Sequence, residues 1–422
     1  MDKNSKSHLK SSLGLFDATA ISLGAVIGGG IFIITGIVAG LAGPALVISI
    51  IIAAVISLFT ALSFVELTTW LPTEGSVYVF ARTLLSPFAG FLAGWMWIVS
   101  NTFSGAAVSL GFAHYLVALF PVVDHRIIAI VLCIAFTLLN FVGVKHSALF
   151  NNALVIAKIS ILLIFILVGV FHFKTINFSH FIKSETGIFR GAFFIFFAFA
   201  GFARVATVAE EVRNAKKVVP QSIMLSLLIS SIIYILVGTV ALGLVGSEIL
   251  GKSNSPLADA IGAVGKPFFK SIVSLGGMFA MASVLLTSIL GVSRMAFAMA
   301  RERDLPPILS QLHPKFKTPS LSVLIAGMIM VAISLLFNLT KVVAISTFAT
   351  VFNYSLANIS ALRLGSKNRL YPRFVSTTGL ILCLTLLIFV QKSALEIGVL
   401  SLLVGVLYYL LRQMGTFLQV PP

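Results

Sequence analysis

The sequence predicts an all-α polytopic membrane protein with twelve transmembrane helices, and three observations carry that prediction. Of its 422 residues, 59% are hydrophobic and only 10% charged, against roughly 25% charged in a soluble domain. The mean hydropathy is +1.09. Apolar runs of about 20 residues, enough to cross a hydrocarbon core roughly 30 Å thick, recur along the whole chain. This composition excludes a soluble enzyme, a disordered chain and a nucleic-acid-binding domain. The net charge of +16 and the pI near 10.1 would suggest nucleic acid in a soluble protein. In a membrane protein the same excess sets orientation, because Lys and Arg gather in cytoplasmic loops. Cys133 and Cys383 both lie inside apolar runs and fit neither a disulfide framework nor a metal site. No cleavable secretory signal is expected, since the first apolar run continues without a small-residue cleavage site.

The spans follow in order. No charge interrupts Ala18 to Val65, which leaves room for two spans hinged at Gly40-Leu41-Ala42-Gly43-Pro44. The next are expected at 86–120, 127–144, 148–172 and 188–209. Six more follow at 218–246, 268–300, 319–337, 342–362, 374–391 and 394–411. With the amino terminus inside, 18 of the 29 Lys and Arg fall on the inner side, 9 on the outer side, and Lys158 and Arg294 within spans. That two-to-one bias predicts an even number of spans with both termini cytoplasmic. No linker or soluble domain separates the spans, so the whole chain reads as one membrane domain.

Two segments are poor spanning helices. In span 1, Gly24-Ala25-Val26-Ile27-Gly28-Gly29-Gly30-Ile31-Phe32 contains three adjacent glycines, each costing a helix roughly 1 kcal/mol relative to alanine. One reading is an unwound stretch lining a cavity, whose amides at the start of the second half-helix attract a carboxylate. The other is close helix packing of the small-xxx-small kind. In span 6, Phe199-Ala200-Gly201-Phe202-Ala203-Arg204 either breaks the helix at Gly201 or ends it near Phe202, with Arg204 an interfacial cation. Breaks in spans 1 and 6 are what two five-helix repeats of inverted topology produce, with substrate between them at the midplane. The halves show no clear residue-level similarity, so the repeat is inferred from where the breaks fall.

Four stretches, in order, resemble the amino acid–polyamine–organocation superfamily, in particular prokaryotic relatives of the cationic amino acid transporters. They are Gly24–Phe32, Pro72-Thr73-Glu74-Gly75-Ser76-Val77-Tyr78, Gly201–Pro220 and Arg301–Pro306. The resemblance implies a leucine-transporter-type fold. Residues 1–172 would hold the tail and first repeat, 187–363 the second repeat, and 371–412 helices 11 and 12. It implies a secondary active transporter of the cell membrane whose partners are the lipid bilayer and an amino acid, with no cofactor beyond a proton as coupling ion. It implies no obligate protein partner and no enzyme activity. Substrate-binding residues carried over are Val26, Gly28, Gly29, Gly30, Phe197, Ala200, Gly201 and Phe202. The carboxylate would sit on the Gly29 and Gly30 amides, and the ammonium on carbonyls near Val26, Phe197 and Ala200. Phe199 is expected to close over the ligand beside Phe202, although with 36 Phe in the chain most of them simply pack. Relatives often carry an acidic residue where this chain has Ala203, so a small neutral amino acid such as alanine is favoured over a cationic one. Arg204 is expected at the cytoplasmic end of the span, with contact to an acidic substrate as the other possibility.

Lys158 stands near the middle of span 5, roughly 15 Å into the helix from Ala148. A charge at that depth costs several kcal/mol unless it finds partners or loses its proton, which suits a proton-coupled carrier. The resemblance places a coupling lysine here, reaching a carbonyl near Gly24 and a hydroxyl on span 8, with Ser283 matching and Thr287 as runner-up. The bland reading is a structural lysine pinning span 5 to span 1. Glu210 and Glu211, with Arg213, Lys216 and Lys217, are expected to form an inner-gate charge cluster, and Arg294 to face it. Asp17 is expected to complement the start of span 1, and Glu66 to pair with an interfacial Arg. The histidines show no metal-ligand spacing. Alternatives to proton-coupled uptake are an exchanger, a cationic amino acid carrier, and a non-transporting amino acid sensor. A membrane-embedded enzyme would need a nucleophile–base pair or metal cluster that the spans lack.

Overall fold

The computed structural model describes residues 13–72, 76–121, 123–143, 148–179, 181–182 and 184–417. It is all-helical. Among the described residues there is no β-strand, only an isolated bridge between Leu13 and Val212. Among the described residues nine segments are long and apolar enough to cross a membrane, and the first of them, Leu15–Trp70, runs for 56 residues. Ser320–Leu336 and Arg373–Ile388 are shorter apolar helices.

That first segment holds three helices, α1 (Leu15–Val26), α2 (Gly29–Ala42) and α3 (Leu46–Trp70). Asp17 accepts the Gly14 amide at 3.1 Å and so complements the start of α1. A single 3₁₀ turn, Gly43–Ala45, joins α2 to α3, and Gly43 takes φ +66°, a left-handed conformation that glycine adopts without steric cost. A short amphipathic helix not expected from the sequence, α4 (Ser76–Leu84), buries Val77, Phe80 and Ala81. Then come α5 (Pro87–Leu119), α6 (His125–Val142), α7 (Ala148–Val170) and α8 (Glu185–Phe199). Span 6 runs to Ala209 as expected, in two pieces: α8 stops at Phe199, and Phe202–Glu211 winds as a tight 3₁₀ segment with a kink at Val208.

The remaining helices are α9 (Ala215–Lys252), α10 (Pro256–Gly262), α11 (Pro267–Arg301), α12 (Ser320–Leu336), α13 (Leu339–Leu362), α14 (Arg373–Ile388) and α15 (Lys392–Phe417). α8 and α13 are the most deeply buried, while α6 and α15 expose most of their apolar surface. Several hydroxyls inside the bundle are satisfied by their own helix backbone: Thr35 donates to Ile31 O, Thr68 to Phe64 O and Thr137 to Cys133 O, at 2.6–2.7 Å. Without such partners each would carry the cost of an unpaired polar group in an apolar medium. Cys133 and Cys383 are buried and free.

Glu66 is buried and pairs with backbone rather than an arginine. Its Oε1 accepts the amides of Leu370 and Tyr371 at 2.9 and 3.1 Å, tying α3 to the loop before α14. Arg294 is exposed on α11.

Candidate functional site

The two interruptions meet in the middle of the bundle. In the first, only Ile27 and Gly28 leave the helix, and Gly29 and Gly30 already belong to α2. No side chain caps α2, so its first-turn amides lack an intrahelical acceptor. Adding a Cβ to Gly30 would bring it within 2.7 Å of Ala198 Cα, and one on Gly201 would come 2.5 Å from the Val26 amide nitrogen. These glycines are therefore needed chiefly because two backbones touch there, and less for freedom to unwind. Tyr234 of α9 bridges both breaks, donating to Val26 O at 2.6 Å and reaching Ala198 O at 3.2 Å. Ser22 donates to Phe202 O at 3.0 Å, and Tyr354 of α13 donates to Ala200 O.

A cavity opens at this junction. Val26, Gly28, Gly29, Gly30, Phe197, Ala200 and Gly201 all line it. Phe202 and Phe199 do not. The Phe202 ring packs between Phe64 and Tyr354, with centroids 5.7 and 5.3 Å away, and Phe199 packs at a tilt against Tyr234 at 5.1 Å. Both are fully buried behind the wall. Of the carbonyls assigned to an ammonium, Val26 O already accepts from Tyr234 and from the Gly28 amide, which uses both its lone pairs. Phe197 O accepts the Ala200 amide and Ala200 O accepts Tyr354, so each keeps one lone pair for a ligand.

Lys158 is 2% exposed, and its Nζ donates to Gly24 O at 3.3 Å, on the last turns of α1 before the break. Among the described residues no hydrogen bond joins Lys158 to Ser283 or Thr287; the Thr287 hydroxyl is shared between the Ser283 and Val284 carbonyls at 3.1 Å. Asn152, two turns before Lys158 on α7, donates to Asp17 at 2.7 Å.

Several groups of the site were not expected from the sequence. Arg204 lies on the cavity wall, the place its alternative role of contact with a substrate requires, and not where the favoured reading put it, at the cytoplasmic end of the span. The helix stops at Phe199, and the tighter 3₁₀ path carries residue 204 into the cavity. Its Nη2 donates to Asn101 Oδ1 at 3.2 Å, and its guanidinium faces Trp97, 5.8 Å from the ring centroid. On α13, Asn353 lines the cavity and donates to Ala93 O at 2.7 Å, leaving Oδ1 buried without a partner. That oxygen is available to an N–H donor of a ligand.

No ion pair within 4 Å joins Glu211 to Arg213, Lys216 or Lys217 among the described residues, and the Glu210 side chain lies outside them. A different charge cluster exists. Asp304, 2% exposed, is held at 2.6 Å by both Arg82 of α4 and Arg412 of α15. Tyr78 donates to it at 2.8 Å, and burial beside this carboxylate raises the Tyr78 phenol above its ordinary pKa. Ser76 and Val77, on the same short helix, line the cavity. The Thr73-Glu74-Gly75 part of the resembling motif lies outside the described residues. No group of three or more His, Cys, Asp or Glu is placed to hold a metal among the described residues.

The sequence profile of the amino acid permease family matches residues 13–411. The chain belongs to that family. The permease is 34% identical over 412 residues to an uncharacterized transporter of Mycobacterium tuberculosis, covering 97% of this chain and 92% of that one. It is 31% identical to the branched-chain amino acid permease BcaP of Bacillus subtilis, covering 96% and 93%. Similarity extends to cationic amino acid transporter 4 of Mus musculus at 29%, over 85% of the permease and 60% of that chain. These relationships mark the permease as a transporter rather than an enzyme, and as a multi-pass membrane protein that takes a small-molecule amino acid as substrate.

Proposed function

We propose that the permease is a secondary active transporter of small amino acids, coupled to protons through Lys158 and working by alternating access in the cytoplasmic membrane. The observation that carries this reading is the Lys158–Gly24 contact. It places a titratable ammonium on the backbone of α1 one turn before the break that lines the cavity. A charge at that depth is costly unless paired. Proton loss would take the charge from this hydrogen bond and weaken the hold of α7 on α1, which is how a proton can bias a two-state gate. The α-carboxylate would rest on the Gly29 and Gly30 amides, and the ammonium on Phe197 O and Ala200 O.

Helix packing supports twelve spans and an inverted 5+5 repeat. If span 1 is α1 with α2, and span 6 is α8 with its 3₁₀ extension, exchanging each span with the one five places later maps neighbours onto neighbours. The pairing of α3 with α8 answers that of α9 with α1 and α2. The pairing of α13 with α5 answers that of α11 with α7, and α13 with α3 answers α7 with α9. The pairs α3–α9, α5–α11 and α6–α12 map onto themselves. Helices α14 and α15 stand outside the scheme. The two-to-one charge bias supports a cytoplasmic position for both termini.

A cationic side chain has no acidic residue at Ala203 and would meet Arg204 on the same wall. A small neutral amino acid such as alanine avoids that repulsion. Uptake of radiolabelled alanine into proteoliposomes, with and without an inward proton gradient, tests the reading. Saturable uptake stimulated by the gradient supports it. Saturable binding without flux would make the protein a sensor, and flux indifferent to the gradient but dependent on internal amino acid would make it an exchanger.

A further inference from the structure

Among the described residues Arg204 is the one cation on the cavity wall, and one of its donors has a hydrogen-bond partner there. A guanidinium has five N–H donors in a fixed planar fork. One reaches Asn101 Oδ1 at 3.2 Å, and a face rests on Trp97. No carboxylate lies within 4 Å of it among the described residues. The surroundings hold the group in place. Asn101 is itself fixed by donation to Trp97 O at 3.0 Å. Gly291 of α11 leaves the space the fork occupies, since a Cβ there would stand 3.3 Å from Arg204 Nη1 and 2.8 Å from Trp97 Cη2. A cation held in place, apart from lipid and without a counter-charge among the described residues, is suited to an anion.

The same cavity offers a second attraction for negative charge in the uncapped amides at the start of α2. Two such features on one wall suit a ligand with two carboxylates. We infer that Arg204 recognises the side-chain carboxylate of an acidic amino acid, L-aspartate or L-glutamate, so that the permease carries these in addition to small neutral amino acids. This rests on the reading of the cavity as the amino acid site. It commits the α-carboxylate to Gly29 and Gly30 and the distal carboxylate to Arg204. Asn101 holds the fork, and Trp97 excludes water from one of its faces.

The experiment compares uptake of radiolabelled L-aspartate, L-glutamate and L-alanine in proteoliposomes of the wild type, Arg204→Gln, Arg204→Lys and Arg204→Glu. Wild-type vesicles are expected to take up an acidic amino acid saturably and to show mutual competition with alanine. The ratio of acidic to alanine uptake should fall at least tenfold in Arg204→Gln and less in Arg204→Lys, which keeps the charge but loses the fork. It should fall furthest in Arg204→Glu. Where a variant is not recovered folded, wild-type competition decides alone. Alanine uptake that neither aspartate nor glutamate inhibits overturns the inference and leaves the transporter reading standing. Equal loss of alanine and acidic uptake in Arg204→Gln also overturns it, by assigning Arg204 to the α-carboxylate or to structure. No uptake of any amino acid overturns both readings.

Discussion

The close approach of the two helix breaks makes Gly201→Ala an informative substitution. A Cβ on Gly201 would stand 2.5 Å from the Val26 nitrogen, short by about 0.9 Å of the 3.4 Å at which ordinary contact begins. The obstructing atoms belong to backbone, so no rotamer change relieves the clash. Tyr234 further pins that backbone from α9 through Val26 O and Ala198 O. The breaks must separate by roughly 1 Å, and overpacking of this kind costs about 1–3 kcal/mol. If that cost falls on the ligand-binding arrangement, affinity drops roughly 5- to 150-fold at about 1.4 kcal/mol per tenfold. Concentration-dependent uptake in proteoliposomes, with thermal unfolding of the detergent-purified protein, reads both effects. Gly365→Ala is the control, because nothing lies within 4 Å of a Cβ there. Wild-type apparent affinity and unfolding temperature in Gly201→Ala would refute the claim that the backbones meet at this point.

Other expectations follow from the same contacts. Tyr234→Phe removes the one O–H that α9 shares between Val26 O and Ala198 O, at about 1 kcal/mol net, and should lower the unfolding temperature and weaken ligand-induced stabilisation together. Asp304→Asn weakens the attachment of α4 and α15, and should destabilise by about 2–3 kcal/mol; the partial exposure of Arg82 and Arg412 moderates the loss. Glu66→Ala, which strips the acceptor from two backbone amides, should cost about 2 kcal/mol, whereas Glu66→Gln keeps an acceptor oxygen and should cost less. Equal unfolding temperatures for the two Glu66 variants would contradict the backbone role.

What the sequence made legible was whatever depends on runs and clusters. Uncharged apolar stretches placed the spanning helices to within a few residues, and the glycines at 30 and 201 stand where two backbones converge. The depth of Lys158 in its run marked it as a buried cation. Hidden from sequence was whatever depends on the path taken after a break. Arg204 enters the cavity because the chain tightens into a 3₁₀ segment, and local propensity gives no sign of that choice. Phe199 and Phe202 illustrate a second limit. In a chain with 36 phenylalanines the residue type says little about which ring faces a cavity and which packs behind it. Partners distant in sequence, such as Arg82, Asp304 and Arg412, or Glu66 and the amides of 370 and 371, carry no local pattern. The short amphipathic α4 escaped because one buried face over nine residues is too brief a signal beside long apolar runs.

The central claim is that the Lys158 ammonium on the Gly24 carbonyl couples proton binding to the opening of the site. Its most direct test is alanine uptake driven by an inward proton gradient, set beside alanine counterflow without a gradient, in wild type and Lys158→Ala. The account predicts that the substitution removes gradient stimulation while counterflow persists. Gradient stimulation that survives in Lys158→Ala would contradict the claim and make the lysine a structural tie between α7 and α1.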